Sequence, residues 1–290
     1  MQYSPKTADD SVNLPKQSQL AEFIKLVAGI FAVAALIFMA LGLVVDLVVP
    51  HIPDSAEKAL SKYYSRVLDR SYKGGAARDL NRILSRLAAV NQGRKMEYRA
   101  YIIPSPEINA LAFPAGNIGV FSGLLREAET ENEIAFVLAH EMGHYENRDH
   151  LRGIGRALIL ALITTVLFGA DNGITDMVAN AVSGIQLKYS RDQEKKADLF
   201  AVDLLNRAYG NSAGAVEMIE KLGKKEKMSA AYFNFFSTHP AKNERIEYIK
   251  KRTAEMGYVR KRQLKAPVSF KTIQVESFSE NSIILNKKRR

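Results

Sequence analysis

From Leu26 to Val45 the chain runs for twenty residues without a charge, LVAGIFAVAALIFMALGLVV. At about 1.5 Å rise per residue a helix of that length spans about 30 Å of hydrocarbon, so the pattern predicts a transmembrane helix, with residues 26–49 as the anchor. A secretory signal would carry a basic n-region and a shorter apolar core of about 7–15 residues, which favours an uncleaved anchor. Residues 1–25 before it are polar, carry Pro5 and Pro15, mix Lys with acidic side chains, and read as a flexible leader. A second apolar run, residues 157–170 (ALILALITTVLFGA), is only fourteen residues long and is followed by Asp171, Asn172 and Gly173. Its length reads as a buried or interfacial helical segment, with a membrane-dipping hairpin as the alternative.

Between these runs, Leu60, Tyr64, Val67 and Leu68 share one helical face, and Leu80, Ile83, Leu84 and Leu87 share another on a second helix. Tyr98 to Ile103, Asn109 to Phe113 and Ile118 to Phe121 read as short strands, punctuated by Pro104, Pro106, Pro114 and Gly116. The remainder is helical to about Met256, with Val268 to Val275 and Ser282 to Leu285 as short strands of a C-terminal extension. The expected organisation is a leader, an anchor, a domain over residues 55–256 and a basic extension over residues 257–290. The fold class is α+β, mainly helical, with a small sheet.

Composition narrows the chemistry. A hydrophobic content of 47% and a charged content of 25% over 290 residues suit an ordinary folded chain. The absence of cysteine excludes disulfides, thiolate metal sites and a cysteine nucleophile, so a metal must sit on His, Asp or Glu. The net charge of +10 is concentrated in the tail: residues 260–290 hold nine Lys and Arg against Glu276 and Glu280. This reads as a solvated end, with attraction of Lys287, Lys288, Arg289 and Arg290 to anionic lipid headgroups as the runner-up. No recognition motif accompanies the charge, so nucleic acid is not an expected partner.

The informative residues begin at Thr130. Thr130 and Glu133 form a capping box, and the helix they open runs into His140-Glu141-Met142-Gly143-His144. Two histidines four residues apart lie one turn apart on one face, where both imidazoles can reach one ion. Glu141, beside the first of them, can act on a water at the metal without being a ligand. This is the H-E-x-x-H arrangement of zinc hydrolases. A tetrahedral catalytic zinc needs a third protein ligand, and two candidates compete. His150 lies ten residues after His140, as in H-E-x-x-H-x-x-G-x-x-H, but Asn147 stands where that pattern has glycine. Glu194 lies on a later helix that Gly210 would stop, with Asp198 one turn on and able to accept the free N–H of a ligating histidine.

Taken in order, HEMGH, SRDQEKKADLFAVDLL (Ser190 to Leu205) and STHP (Ser237 to Pro240) followed by Glu244-Arg245-Ile246 resemble the signature of the M48 family of zinc metallopeptidases. Asn109-Ala110 with Pro114, Ala115 and Gly116 resembles the family's N-A-x-x-x-P-G-G segment, with Ala115 in place of the first glycine. The resemblance covers roughly residues 55–256. It implies a gluzincin-like fold, one catalytic Zn2+ and Glu194 as third ligand, which leaves His150 as a helix-end residue.

With the metal on His140, His144 and Glu194, Glu141 takes the proton from water and passes it to the leaving amine. The oxyanion needs a second donor, and His239 is the candidate, just before Pro240, which is expected to open a helix over residues 241–256. The resemblance also puts this histidine at the active site. Arg245 orients the site or the substrate; His51 has only a structural reading. Extended substrate can add to a sheet edge supplied by Asn109 to Phe113 or Ile118 to Phe121. The expected function is a membrane-anchored zinc endopeptidase acting on unfolded polypeptides, in quality control of misfolded or unassembled membrane or envelope proteins. The rival is a chaperone-like or scaffold protein with a latent peptidase fold, against which the intact Glu141 argues. An intramembrane protease is disfavoured by Tyr145-Glu146-Asn147-Arg148-Asp149. The expected location is single-pass in an inner membrane with the domain periplasmic, otherwise cytoplasmic; the Lys and Arg counts on the two sides of the span do not decide.

Overall fold

The computed structural model describes residues 18–169, 189–225, 238–240, 242–259 and 264–273. The first helix, α1, covers Gln19–Val48, thirty residues, and starts inside the segment expected as leader. Ser18 accepts from the Ala21 amide and Glu22 lies in the first turn, a cap and a favourable charge that begin the helix seven residues before the apolar run. Residues 1–17 lie outside the described part. A 3-10 turn at Val49–His51 ends α1, and the expected helix after it is broken in two: α2, Asp54–Ser61, and α3, Ser65–Asp69, separated by a 3-10 turn at Lys62–Tyr64.

Helix α4, Gly75–Ala89, buries Ala76, Leu80, Ile83, Leu84 and Leu87, a stripe at helical spacing that faces the core. Three strands follow: β1 Arg99–Ile103, β2 Ala110–Phe113 and β3 Asn117–Phe121. Their order is β1-β3-β2, with β1 parallel and β2 antiparallel to β3. Ile118 to Phe121 is therefore central and cannot offer an edge; of the two expected docking strands only β2 is an outer strand. The β2–β3 turn holds Ala115 at φ 64° and Gly116 at φ 78°. A left-handed position explains why the resembling segment carries glycine where this chain has Ala115.

Past a short α5 at Ser122–Glu127, the central helix is α6, Glu131–Glu146, opened by the expected capping box of Thr130 and Glu133. Residues 131–145 are all buried, so α6 is the axis of the core. A left-handed Arg148 (φ 53°) turns the chain into α7, Asp149–Phe168, which starts eight residues before the apolar run. Helix α8, Arg191–Tyr209, is capped by Ser190 and Gln193, and it stops at a left-handed Gly210 as the pattern predicts. Helices α9, Ala215–Lys225, and α10, Lys242–Glu255, complete the layer. Pro240 lies two residues before α10 rather than opening it.

Over its described residues, 268–273, the expected strand at Val268 to Val275 is instead a 3-10 turn, Val268–Phe270, following Pro267. Phe270 and Ile273 are buried in the main core, and Glu131 donates its amide to the Leu264 carbonyl, 2.9 Å. The core thus extends past residue 256, because Pro267 aims one aromatic inward in place of a paired strand. Ser282 to Leu285 and the terminal basic cluster lie outside the described residues.

Helices α6 and α8 approach most closely at Gly143. A Cβ there would lie 2.8 Å from the Ala197 Cα and 2.9 Å from its carbonyl oxygen. Both obstacles are backbone, so Gly143→Ala must push the helices apart. We expect it to cost about 1–3 kcal/mol in thermal unfolding and to weaken metal retention, since this contact sets His144 against Glu194. Unchanged stability and metal content would contradict the packing described.

Candidate metal centre

The close approach at Gly143 lays His140 and His144 of α6 against Glu194 and Asp198 of α8. The His140 Nε2 and His144 Nε2 atoms are 3.1 Å apart. Glu194 lies 3.3 Å from the latter and 3.6 Å from the former. Each imidazole is oriented from behind: His140 Nδ1 is 2.7 Å from Asp198 Oδ1, and His144 Nδ1 is 2.9 Å from Asp149 Oδ2. With both Nδ1–H groups donating to carboxylates, the two Nε2 atoms turn lone pairs toward each other and toward Glu194. Acceptors that converge in a buried pocket need a cation between them.

The spacing fits one. Zinc–nitrogen and zinc–oxygen bonds of about 2.0–2.1 Å at tetrahedral angles put neighbouring donors roughly 3.3 Å apart. His239 completes the set, its Nδ1 3.2 Å from His140 Nε2 and 2.9 Å from Glu194 Oε1. All four donor atoms lie within 4.8 Å of one another and all four residues are buried. Glu141 sits beside them, 1% exposed, and its two oxygens have no hydrogen-bond partner among the described residues. Its Oε1 is 4.0 Å from His239 Nε2.

Electrostatics favour positive charge at this point. Burial alone would push Glu194 and Asp198 up. His239, Arg245 and His140 hold Glu194 well below the carboxylate range, and Arg245 with His140 holds Asp198 down to about 2. Burial disfavours a charged His144, yet Asp149 and Glu194 outweigh it and raise that ring to about 10. At His140 burial outweighs Asp198 and Glu194 and lowers the ring, so the two imidazoles are shifted in opposite directions.

The family model for peptidase family M48 matches residues 76–253. The chain belongs to this family. Among its relatives, the mitochondrial metalloendopeptidase OMA1 of Arabidopsis thaliana is 32% identical over 164 residues, 56% of this chain and 33% of that protein. Metalloprotease LoiP of Escherichia coli is 30% identical over 187 residues, 62% of this chain and 72% of LoiP. The beta-barrel assembly-enhancing protease of Yersinia pestis is 26% identical over 216 residues, 69% of this chain and 44% of the relative. The chain spans a third of the Arabidopsis protein and less than half of the Yersinia one.

In this M48 chain His140, Glu141, His144, Glu194, Asp198, His239 and Arg245, all named from the sequence, lie in one cluster, and four further residues join them. Asp149 opens α7 directly after the Arg148 turn. Gln193 accepts from the Ser190 amide (2.9 Å) while its Nε2 donates to Asp149 Oδ1 (2.8 Å), so the α8 cap is pinned to the start of α7. Tyr189 stacks on His144 with centroids 3.8 Å apart, and the Tyr248 hydroxyl donates to Asp198 Oδ2 at 2.6 Å. An acid just past a helix end that carries a ligand was the one available signal, for Asp149; the tyrosines had none. Arg245, fully buried, forks onto Asp198 with Nε–Oδ2 2.7 Å and Nη2–Oδ1 2.8 Å.

His150 is not among the donors. The Arg148 turn carries it against Tyr145, ring centroids 4.5 Å apart, where its Nε2 is 3.0 Å from Glu57 Oε1. His51 is exposed at the end of α1, its Nδ1 on the Leu47 carbonyl. Glu57 also accepts from the Ala115 amide at 3.0 Å and lies 3.4 Å from Arg94 Nη2. Burial would raise its pKa, but His150, the Ala115 amide and Arg94 more than offset this and lower it from 4.5 to about 2. A depressed folded-state pKa gives stability that is present above the unfolded value and lost as pH falls through the folded one. Glu57→Gln should therefore lose about 3 kcal/mol at neutral pH, and the gap from wild type should close as pH falls from about 4.5 to about 2. Urea unfolding of both proteins across that range measures it; a gap that does not vary with pH would exclude an ionised Glu57.

Proposed function

We propose that this M48 chain is a membrane-anchored zinc endopeptidase acting on extended segments of misfolded or unassembled membrane or envelope proteins. The observation that carries the reading is the convergence of His140, His144 and Glu194 beside a buried Glu141 whose oxygens have no hydrogen-bond partner among the described residues. When bound, zinc supplies Lewis acidity toward water and the scissile carbonyl. Asp198 and Asp149 fix the tautomers of the two histidines that hold it. Glu141 accepts a proton from the attacking water and delivers it to the departing amine nitrogen. His239 donates an N–H to the oxyanion. An extended substrate adds beside β2, the outer strand that packs on α6, once the cover over its four buried residues moves aside. Helix α1 anchors the chain in an inner membrane, with the domain on the periplasmic side. The name of the Yersinia relative, tied to β-barrel assembly, supports an envelope setting.

The test uses the detergent-solubilised full chain and denatured casein. Hydrolysis should vanish with a chelator and return with added zinc; hydrolysis that persists after metal analysis shows the ion gone would defeat the proposal. His239→Ala should lower the rate about 10²–10³-fold, the usual effect of removing an oxyanion donor. One observation favours a second reading, a latent enzyme that binds unfolded chains: His239 Nδ1 takes the fourth corner of the donor set, where a catalytic metal keeps an open position. A rise in activity of His239→Ala would support that reading instead.

A further inference from the structure

Helices α1 and α7 share an apolar surface that the domain core does not use. Within α1 only Gly42 is buried. Helix α7 leaves the metal centre at Asp149 and runs back along α1, with a Cβ at Gly155 reaching 3.0 Å from a Val45 methyl. Farther along, a cavity of about 640 Å³ separates the pair, lined by Leu26, Val33, Ile37 and Leu41 on one side and Leu162 and Val166 on the other. On α7, Leu158, Leu162 and Val166 are 47%, 60% and 76% exposed. A soluble surface rarely carries so continuous an apolar strip.

Three observations say what covers it. The last charges on both helices lie at one level, where Asp46 pairs with Arg156 at 2.8 Å and with Arg152 at 3.3 Å. Beyond that level neither Leu26 to Val45 nor Ala157 to Phe168 carries a charge. The polar side chains of this stretch of α7 are Thr164 and Thr165, whose hydroxyls donate to the carbonyls of Leu160 (2.9 Å) and Ala161 (2.8 Å) one turn back. Hydrocarbon demands that internal satisfaction, and water does not. The charge-free part of α7 is about 18 Å long, more than half of a hydrocarbon core.

We propose that α7 enters the bilayer beside α1, the two forming a helical hairpin whose outer face and intervening cavity are covered by lipid acyl chains. The proposal rests on α1 being the membrane anchor and goes beyond a single-pass arrangement. Asp149, which orients His144, lies seven residues before Arg156 at the charge boundary. That distance along a helix is about 10 Å, so the donor cluster is held close to the membrane plane.

The cysteine-free sequence allows a direct test. Single variants Leu162→Cys and Val166→Cys on α7, Leu36→Cys on α1 and Arg78→Cys on the exposed side of α4 are spin-labelled. The full chain is reconstituted in phosphatidylcholine vesicles, and label collisions with oxygen and with a water-soluble nickel chelate are measured. Labels at 162 and 166 should behave like the label at 36, rich in oxygen contact and several-fold poorer in nickel contact than the label at 78. Nickel contact at 162 and 166 equal to that at 78, with 36 still dry, would overturn the hairpin and leave the anchor. Nickel contact at 36 as well would overturn the anchor and the hairpin together. Shielding of 166 from both reagents with label–label broadening would show a second copy on this face and overturn the lipid assignment.

Discussion

Glu141→Gln should abolish peptide hydrolysis while leaving the protein folded and metal-loaded. The expected loss is about 10²–10⁴-fold, the range for removing a general base or acid. The structure explains why the effect should be so selective. The Glu141 oxygens are buried and make no hydrogen bond among the described residues, so the substitution breaks no structural contact. The three residues proposed to hold the metal, His140, His144 and Glu194, make no hydrogen bond with Glu141, whose nearest basic group is His239 Nε2 at 4.0 Å. An uncompensated carboxylate in a buried pocket is itself a cost, so the glutamine variant should unfold at the same temperature as wild type or slightly higher. Zinc content by elemental analysis, thermal unfolding and casein hydrolysis, measured on one preparation, separate the possibilities. Loss of zinc together with activity would make Glu141 a structural residue of the metal site rather than its base.

That selectivity was legible in the sequence because H-E-x-x-H encodes its geometry locally. A spacing of four puts two imidazoles on one face of any helix, and the Thr130–Glu133 box fixes where the helix begins. The shared face of Glu194 and Asp198 was legible for the same reason, one turn apart on a helix with a readable glycine stop. What the sequence could not show depends on contacts distant along the chain. His150 finds Glu57 ninety-three residues upstream, which removes it from the metal without any local signal. Three strands could be marked by prolines and glycines, but placing β3 in the middle requires a parallel pairing with β1 across an intervening strand. Val268 to Val275 has strand composition, yet Pro267 and the buried slot for Phe270 decide the conformation of residues 268–270. Local periodicity thus put the candidate donors on common helix faces, the family resemblance chose Glu194 over His150, and tertiary packing chose what stands behind them.

Arg245 is where that packing carries the most energy. It is the largest fully buried side chain of the described residues, and its guanidinium reaches Asp198 through two hydrogen bonds and Glu194 Oε2 at 2.7 Å. A fourth contact, Nη1 to the His239 carbonyl at 3.3 Å, joins the segment that carries His239 to the same ion-pair network. Arg245→Met leaves two carboxylates, one turn apart on α8, without their fixed counter-charge in a low-dielectric pocket. Removing one partner of a buried pair costs about 3–5 kcal/mol. At roughly 2–4 °C per kcal/mol for a chain of this size, the midpoint of thermal unfolding should fall by roughly 6–20 °C. The loss should be greatest in chelator and smaller with saturating zinc, because an ion that binds only the folded state offsets part of the missing charge. Arg245→Lys should recover little, since an ammonium cannot span both Asp198 oxygens and Glu194 at once. Adding Asp198→Asn to Arg245→Met removes charge from both sides and should restore part of the stability, a coupling that independent sites would not show. Strictly additive losses in that double-mutant cycle would mean that Arg245 and Asp198 act separately, contrary to the fork seen between them.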